Sequence, residues 1–202
     1  MEVAQQLFAA QGYPDTTVDD IARAAGASRA TFYLHFKSKS ELMTALVNDS
    51  TPSAVETYHV LDEVLKDDGP QLPDRLRAWL ADWLDRWTHG AQASHAMLQA
   101  TMLEPEVELH HLRLSEALIG GLVGYFDRMP ADERAAARER VLILEIMTQR
   151  IFALSSRSKL PISRDRLLNI LTEMWLRVFA MERQEGQGRG GDLDHAPDLR
   201  RS

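Results

Sequence analysis

The segment SRATFYLHFKSK, Ser28 to Lys39, collects side chains suited to the edges and phosphates of a nucleic-acid duplex. Within Ser28–Phe36, Arg29 is the only side chain able to make a bidentate contact to a guanine edge, a contact worth about 1–3 kcal/mol of discrimination. The methyls of Ala30 and Thr31 suit contact with thymine methyls. Phe32 and Phe36 are i, i+4 neighbours and anchor one helical face inward. That leaves Ser28, Arg29, Thr31, Tyr33 and His35 on outward faces, with hydroxyls for phosphate and a guanidinium for bases.

Other chemistries find less support. The chain has no Cys, which removes disulfides, thiolate nucleophiles and Cys-ligated metal. It carries no P-loop, no G-x-S-x-G, no H-E-x-x-H and no dinucleotide-binding glycine fingerprint. Glu106 and His110, with His111 alongside, have the i, i+4 spacing of a metal pair, but one pair falls short of a site. No enzyme activity, metal or cofactor is expected.

The elements that position Arg29 are legible from their ends. Thr17 with Asp20, and Ser38 with Glu41, have capping-box spacing, and Thr16 with Asp19 shares it, leaving the first cap open. A first helix spans about Glu2–Gln11, and a second starts at Thr16 or Thr17 and ends before Gly26. A third runs from Ser28 to near Phe36, and a fourth from Ser38 toward Leu65. Gly26 between two short helices, four residues after Ala22, is the layout of a helix-turn-helix. Beyond the Gly/Pro-punctuated stretch Asp67–Arg75, Leu76, Trp79, Leu80, Trp83, Leu84 and Trp87 form an amphipathic stripe. Further helices are predicted over about Ala91–Glu104, Glu106–Arg128, Ala131–Ser156 and Arg164–Glu182. No hairpin signal appears, so the expected fold class is all-α.

The N-terminal stretch resembles the TetR family of bacterial transcriptional repressors. The resemblance rests on Leu7-Phe8, Gly12-Tyr13, Thr16-Thr17-Val18, Ile21-Ala22, Ala25-Gly26, Thr31-Phe32-Tyr33, His35-Phe36 and Ser38-Lys39, across roughly the first quarter of the chain. It implies that Thr17 and Ser28 touch phosphate, that Arg29, Ala30, Thr31 and Tyr33 face the major groove, and that His35, Lys37 and Lys39 contact or flank the backbone. The chain departs from the pattern in two places. Residues that family members carry ahead of the first helix have no counterpart before Met1, and Ala27 stands where Val is usual.

The formal net charge is -7, an unfavourable balance for binding a polyanion until it is localised. Residues 1–48 hold four cations (Arg23, Arg29, Lys37, Lys39) against five anions (Glu2, Asp15, Asp19, Asp20, Glu41), so the excess acid lies elsewhere. A local patch matters more than net charge, but few phosphates per subunit can be neutralised, and a shallow salt dependence is expected. The first residues do not read as a signal peptide, and no apolar run nears the roughly 18 residues of a membrane span. A cytoplasmic protein without membrane partners is the expectation.

The expected organisation is a helix-turn-helix DNA-binding domain at 1–47, with a recognition helix near 28–36. A helical ligand-binding and dimerisation bundle follows at 48–183, then a disordered tail at 184–202. The two last long helices are apolar nearly all round, which suits either a central core position or a second subunit. The interface expectation names Leu144, Ile151, Leu171, Trp175 and Val178. The resemblance adds a small-molecule pocket, for which Trp83, Trp87, Met97, Met102, His110 and Tyr125 are the expected lining residues and an apolar or aromatic effector the expected ligand. Together these imply a homodimeric repressor released from a palindromic operator by its effector. An effector-independent helix-turn-helix protein, an activator and, remotely, an all-helical enzyme are the alternatives.

Overall fold

A computed structural model describes residues 1–67, 69–89, 91–156 and 160–188, and among these every regular element is helical. The helices are α1 (Glu2–Gln11), α2 (Val18–Ala24), α3 (Arg29–His35), α4 (Lys39–Leu65), α5 (Leu72–His89), α6 (Ala91–Leu103), α7 (Pro105–Gly120), α8 (Val123–Phe126), α9 (Arg134–Ser156) and α10 (Arg164–Gly188). None of the described helices is long and apolar enough to cross a membrane.

The caps form where hydroxyl residues precede the helices. Thr17 is the N-cap of α2: its Oγ1 accepts from the Asp20 N–H at 3.1 Å, and the Asp20 carboxylate accepts from the Thr17 N–H at 3.1 Å. Thr16, the other candidate, is fully buried and donates to the Gly12 carbonyl at 2.7 Å. Ser28 accepts from Thr31 N–H and Ser38 from Glu41 N–H, both at 3.0 Å. The Ser38 box is shifted by one residue, because the Glu41 carboxylate takes the N–H of Lys37. Gly26 holds φ at 66°, a left-handed conformation that turns α2 into α3 and costs other residues strain.

Two hydrophobic clusters organise the chain. The first joins Phe8, Tyr13, Ile21, Phe32, Leu42 and Val47 and extends into Ala96, Ala100 and Val107 of α6 and α7. Polar contacts reinforce that joint: Tyr13 N–H donates to Gln99 Oε1 at 3.0 Å, the Tyr13 hydroxyl donates to Glu104 at 3.0 Å, and Ser40 donates to Glu106. The second cluster is an aromatic spine through Tyr58, Trp79, Trp83, Phe152, Trp175 and Phe179. Neighbouring rings meet tilted or edge-on, with Trp79 and Trp175 at 5.4 Å and Trp83 and Phe152 at 5.2 Å. Such pairs add about 0.5–1.5 kcal/mol beyond the area they bury.

Four expectations about elements are corrected. The helix predicted over Glu106–Arg128 breaks into α7 and α8, because buried Asp62 on α4 draws the backbone toward it. Its carboxylate accepts from Gly124 N–H at 3.1 Å and Tyr125 N–H at 3.0 Å. A Cβ on Gly124 would stand 2.9 Å from that carboxylate, so a side chain there would push the Asp62 carboxylate aside. α5 begins at Leu72, inside the stretch expected as loop, and α9 begins at Arg134 rather than near Ala131. α10 continues to Gly188, so residues 184–188 of the expected tail are helical, and 189–202 lie outside the described residues.

The expected interface residues divide. Leu144, Leu171 and Trp175 are buried in the subunit's own core, so they offer no surface to a second copy. Ile151 and Val178 are half-buried. Among the described residues, the large apolar side chains left exposed on these helices are Ile143, Ile146 and Met147 of α9 and Ile170 of α10. Periodicity marked both helices as doubly apolar, but only packing shows which face is already covered.

Candidate nucleic-acid interface and effector cavity

α3 is a two-turn helix held by its ends and by one anchor face. Phe32 is buried, and Phe32 and Phe36 stack at 5.7 Å between centroids. Ser28, Arg29, Ala30, Thr31, Tyr33, His35 and Lys37 are all exposed, as is Thr17 at the start of α2. The structure thus brings eight of the nine expected contact residues to one accessible region. Its hydroxyls are already engaged: Ser28 Oγ and Thr31 Oγ1 lie 2.9 Å apart, and Thr17 donates to Asp20 at 2.6 Å.

Arg29 is held ready but not committed. Its guanidinium lies 3.3 Å from both carboxylate oxygens of Asp19, 3.4 Å from the Tyr33 hydroxyl, and 5.6 Å above the Tyr33 ring. The Arg29–Asp19 pair is solvent-exposed, so exchanging Asp19 for another acceptor costs little. Lys39, the ninth residue, is turned inward. Its ammonium donates to the carbonyls of Tyr13 at 2.8 Å and Thr16 at 2.9 Å and sits 4.1 Å over the Tyr13 ring. Burial pulls this lysine below its ordinary pKa. Its main contact in the structure is with the turn between α1 and α2.

Leu34 was overlooked in the sequence. It is 82% exposed, the most open large apolar side chain on α3. The signal was available: with Phe32 and Phe36 inward, residue 34 falls on the opposite side of the helix.

A cavity of about 220 Å³ lies where α4, α5, α6, α7 and α9 meet. Of the six expected lining residues, Trp83, Trp87 and Met97 line it. Three do not. Met102 is 72% exposed on α6. His110 points outward, its Nε2 at 2.8 Å from Asn48 Oδ1. Tyr125 is buried against Phe179, at 4.9 Å, away from this lining. Trp79 belongs to the core, its indole N–H donating to the Thr57 carbonyl at 2.8 Å. Glu106 and His110 face Ser40 and Asn48, and no group of three or more potential ligands is assembled for a metal among the described residues.

The polar wall of the cavity also escaped the sequence. Glu145, fully buried on α9, accepts from the Tyr58 hydroxyl at 2.9 Å, from Ser115 at 3.3 Å and from the Gln149 amide. Burial pushes the carboxyl up to about 7, against the lowering effect of those hydrogen bonds. The Gln149 oxygen lies 3.0 Å from His111 Nε2, and burial lowers the pKa of that imidazole. A second space, of about 240 Å³, shares Val47, Ser50, Ser94 and Met97 with the first and reaches Gln5 and Phe8 of α1. Met97 packs against both hydrophobic clusters.

The chain is similar to known proteins in sequence at its N-terminus and in overall fold. Residues 1–46 match the model of bacterial regulatory proteins of the tetR family. The chain is 40% identical over 79 residues to MftR of Mycobacterium tuberculosis, named for regulation of mycofactocin biosynthesis, covering 39% of this chain and 37% of that protein. It is 22% identical over 182 residues to the HTH-type transcriptional regulator EthR of Mycolicibacterium smegmatis, covering 87% of this chain and 82% of that one. The higher-identity match thus spans little more than a third of the relative's own length. GusR of Salmonella enterica has the same fold, with a TM-score of 0.63, 21% identity, and coverage of 89% of this chain and 92% of that chain. With its helix-turn-helix and exposed recognition helix, the N-terminal part of the chain, residues 1–46, is that of the tetR family of bacterial regulatory proteins, and the remainder shares the all-helical fold of such regulators.

Proposed function

We propose that the protein is a homodimeric repressor that reads a palindromic operator and is released from it by a small-molecule effector. The DNA-binding part is residues 1–47, and residues 48–183 form the effector and dimerisation part. Arg29, Ala30, Thr31 and Tyr33 read base edges, and Thr17, Ser28, His35 and Lys37 serve the phosphates. Ile143, Met147 and Ile170 supply the face for a second copy, which would set two recognition helices roughly 34–36 Å apart. Access to DNA places the protein in the cytoplasm.

The observation that carries this reading is the position of the cavity. Its walls include α4, which runs continuously from the DNA-binding part, and Met97, which touches both clusters. Pro52 interrupts the α4 hydrogen-bond ladder between Val47 of the first cluster and Tyr58 of the second. An occupant that favours one placement of α4 and α6 thereby favours one placement of α3, a population shift between two dimer states.

Selection of the purified protein against a randomised duplex pool, with Arg29→Ala alongside, tests the DNA half of the proposal. Enrichment of an inverted repeat, relaxed in the variant, is expected. No enrichment, or a single half-site without symmetry, would count against a dimeric reader.

A further inference from the structure

We propose, resting on the reading of the cavity as the effector site, that its effector is a compact aromatic or lipophilic amine bound as the cation, with Glu145 as counter-ion.

The argument begins with where the donors go. Tyr58, Ser115 and Gln149 all donate to the same oxygen of Glu145, Oε1. Oε2 is buried and has no partner. Because Gln149 donates its amide to Glu145, its oxygen faces His111, so Nε2 of that ring carries the proton. His111 Nδ1 is then a lone-pair acceptor, and it too is buried without a partner. Among the described residues, three buried side-chain atoms lack a partner, and two of them belong to residues lining this cavity. Both are acceptors. Buried polar atoms are ordinarily satisfied, so the cavity calls for a donor-rich occupant.

The surroundings favour a positive one. Tyr58, Trp83 and Trp87 line the space with aromatic rings, which attract a cation through their faces, and Met97 and Leu114 add apolar wall. The other charged group on the wall, Arg86, is paired with Asp82 at 2.7 Å and half-exposed, so its charge is already balanced. The groups facing Glu145 are otherwise Tyr58, Ser115, His111 and Gln149, and burial keeps the phenol and the imidazole neutral near neutral pH. A volume of about 220 Å³ lies below the roughly 300–1,000 Å³ typical of drug-sized ligands, which limits the occupant to a compact molecule. When an ammonium enters beside a protonated Glu145, the carboxyl proton leaves to solvent and the ammonium takes its place.

Calorimetric titration of the full-length protein with phenylbutylamine, phenylbutanol and phenylbutyrate separates the possibilities by charge alone. The amine should bind roughly thirtyfold or more tightly than the alcohol, since only the ammonium gains the charge-assisted contact with an ionised Glu145, and the carboxylate probe should not bind. Glu145→Gln should bring the amine down to the alcohol while leaving alcohol binding intact, which also certifies a folded cavity. If that variant fails to fold, the wild-type protein still decides: amine affinity should fall about tenfold between about pH 8 and about pH 6 as Glu145 takes up its proton, with the alcohol unmoved. Equal binding of amine and alcohol, a preference that survives Glu145→Gln, a flat pH profile, or no binding of any probe would overturn the assignment. Displacement of operator DNA is read separately. Amine binding without DNA release supports the cation site and removes the effector reading. Release by a neutral or anionic compound seated in this cavity does the reverse.

Discussion

The α3 surface and the cavity among the bundle helices each present one ionisable side chain on which the proposals turn, Arg29 and Glu145, and they hold it in different ways. Arg29 stands in water, loosely paired with Asp19 and stacked on Tyr33. Its charge costs nothing to keep, because solvent screens it and any acceptor can replace Asp19. Glu145 is 0% exposed, with three donors on one oxygen and none on the other. Its charge is expensive in the interior, so the carboxyl holds its proton up to about pH 7. An exposed charge can exchange partners freely, whereas a buried one stays neutral until a partner arrives. Changes at the first should therefore alter binding alone, and changes in the second should alter stability as well.

The sharpest separation comes from Trp175→Ala. Trp175 is fully buried, meets Trp79, Trp83 and Phe179, and donates to Thr148 Oγ1 at 3.1 Å. Its removal should cost about 3–5 kcal/mol of stability in urea unfolding. A loss below about 1 kcal/mol, the scale of a surface substitution, would mean that the aromatic spine is not a single cooperative core.

Glu145 should leave a pH signature of nearly that size. Its folded-state value of about 7 lies above the ordinary 4.5, so the native protein binds the proton more tightly than the unfolded chain does. Stability from this group is fully present below about pH 4.5 and declines as pH rises toward 7. The total is roughly 3 kcal/mol, at about 1.4 kcal/mol per unit. Denaturant melts across that window should slope downward for the wild type, and Glu145→Gln should flatten the slope. An unchanged slope in the variant would assign the titration to another group.

On the surface, Arg29→Ala should leave unfolding unchanged and lower specific DNA affinity by about 1–3 kcal/mol per half-site, read by fluorescence anisotropy on the selected operator. Equal loss on specific and random duplexes would recast Arg29 as a phosphate contact. The smallest effect belongs to Asp19→Asn, which frees Arg29 and removes a negative charge near the DNA. Affinity should rise by at most about fivefold, and the gain should shrink with added salt. A fall in affinity would show that Asp19 orients the guanidinium rather than competing for it.

Much of the DNA-binding part was readable beforehand because its signals are local. Thr17 with Asp20, Ser28 and Gly26 act within three or four residues of themselves, and Phe32 with Phe36 defines the inward face by spacing alone. Even so, the inward turn of Lys39 was not visible. Its partners, the carbonyls of Tyr13 and Thr16, lie more than twenty residues earlier in the chain. Of the residues expected around a pocket, Trp83 and Trp87 of the apolar stripe and Met97 of α6 line the cavity, whereas Met102, His110 and Tyr125 lie outside its lining, because their orientation depends on distant helices.

By itself, the sequence determined the all-helical class, the helix-turn-helix with its caps, and the exposed set around Arg29. Hydrogen bonds and periodicities that span a turn or two depend on neighbouring residues alone. Tertiary structure alone decided three further things. It broke the helix at Gly120–Leu122 by bringing Asp62 to Gly124. It chose which face of α9 and α10 was already buried. It also set Tyr58 against Glu145 across 87 residues, placing a buried carboxyl on the wall of a cavity. Each of these depends on which distant surfaces meet, and so on the free energy of burying one face or one charge rather than another.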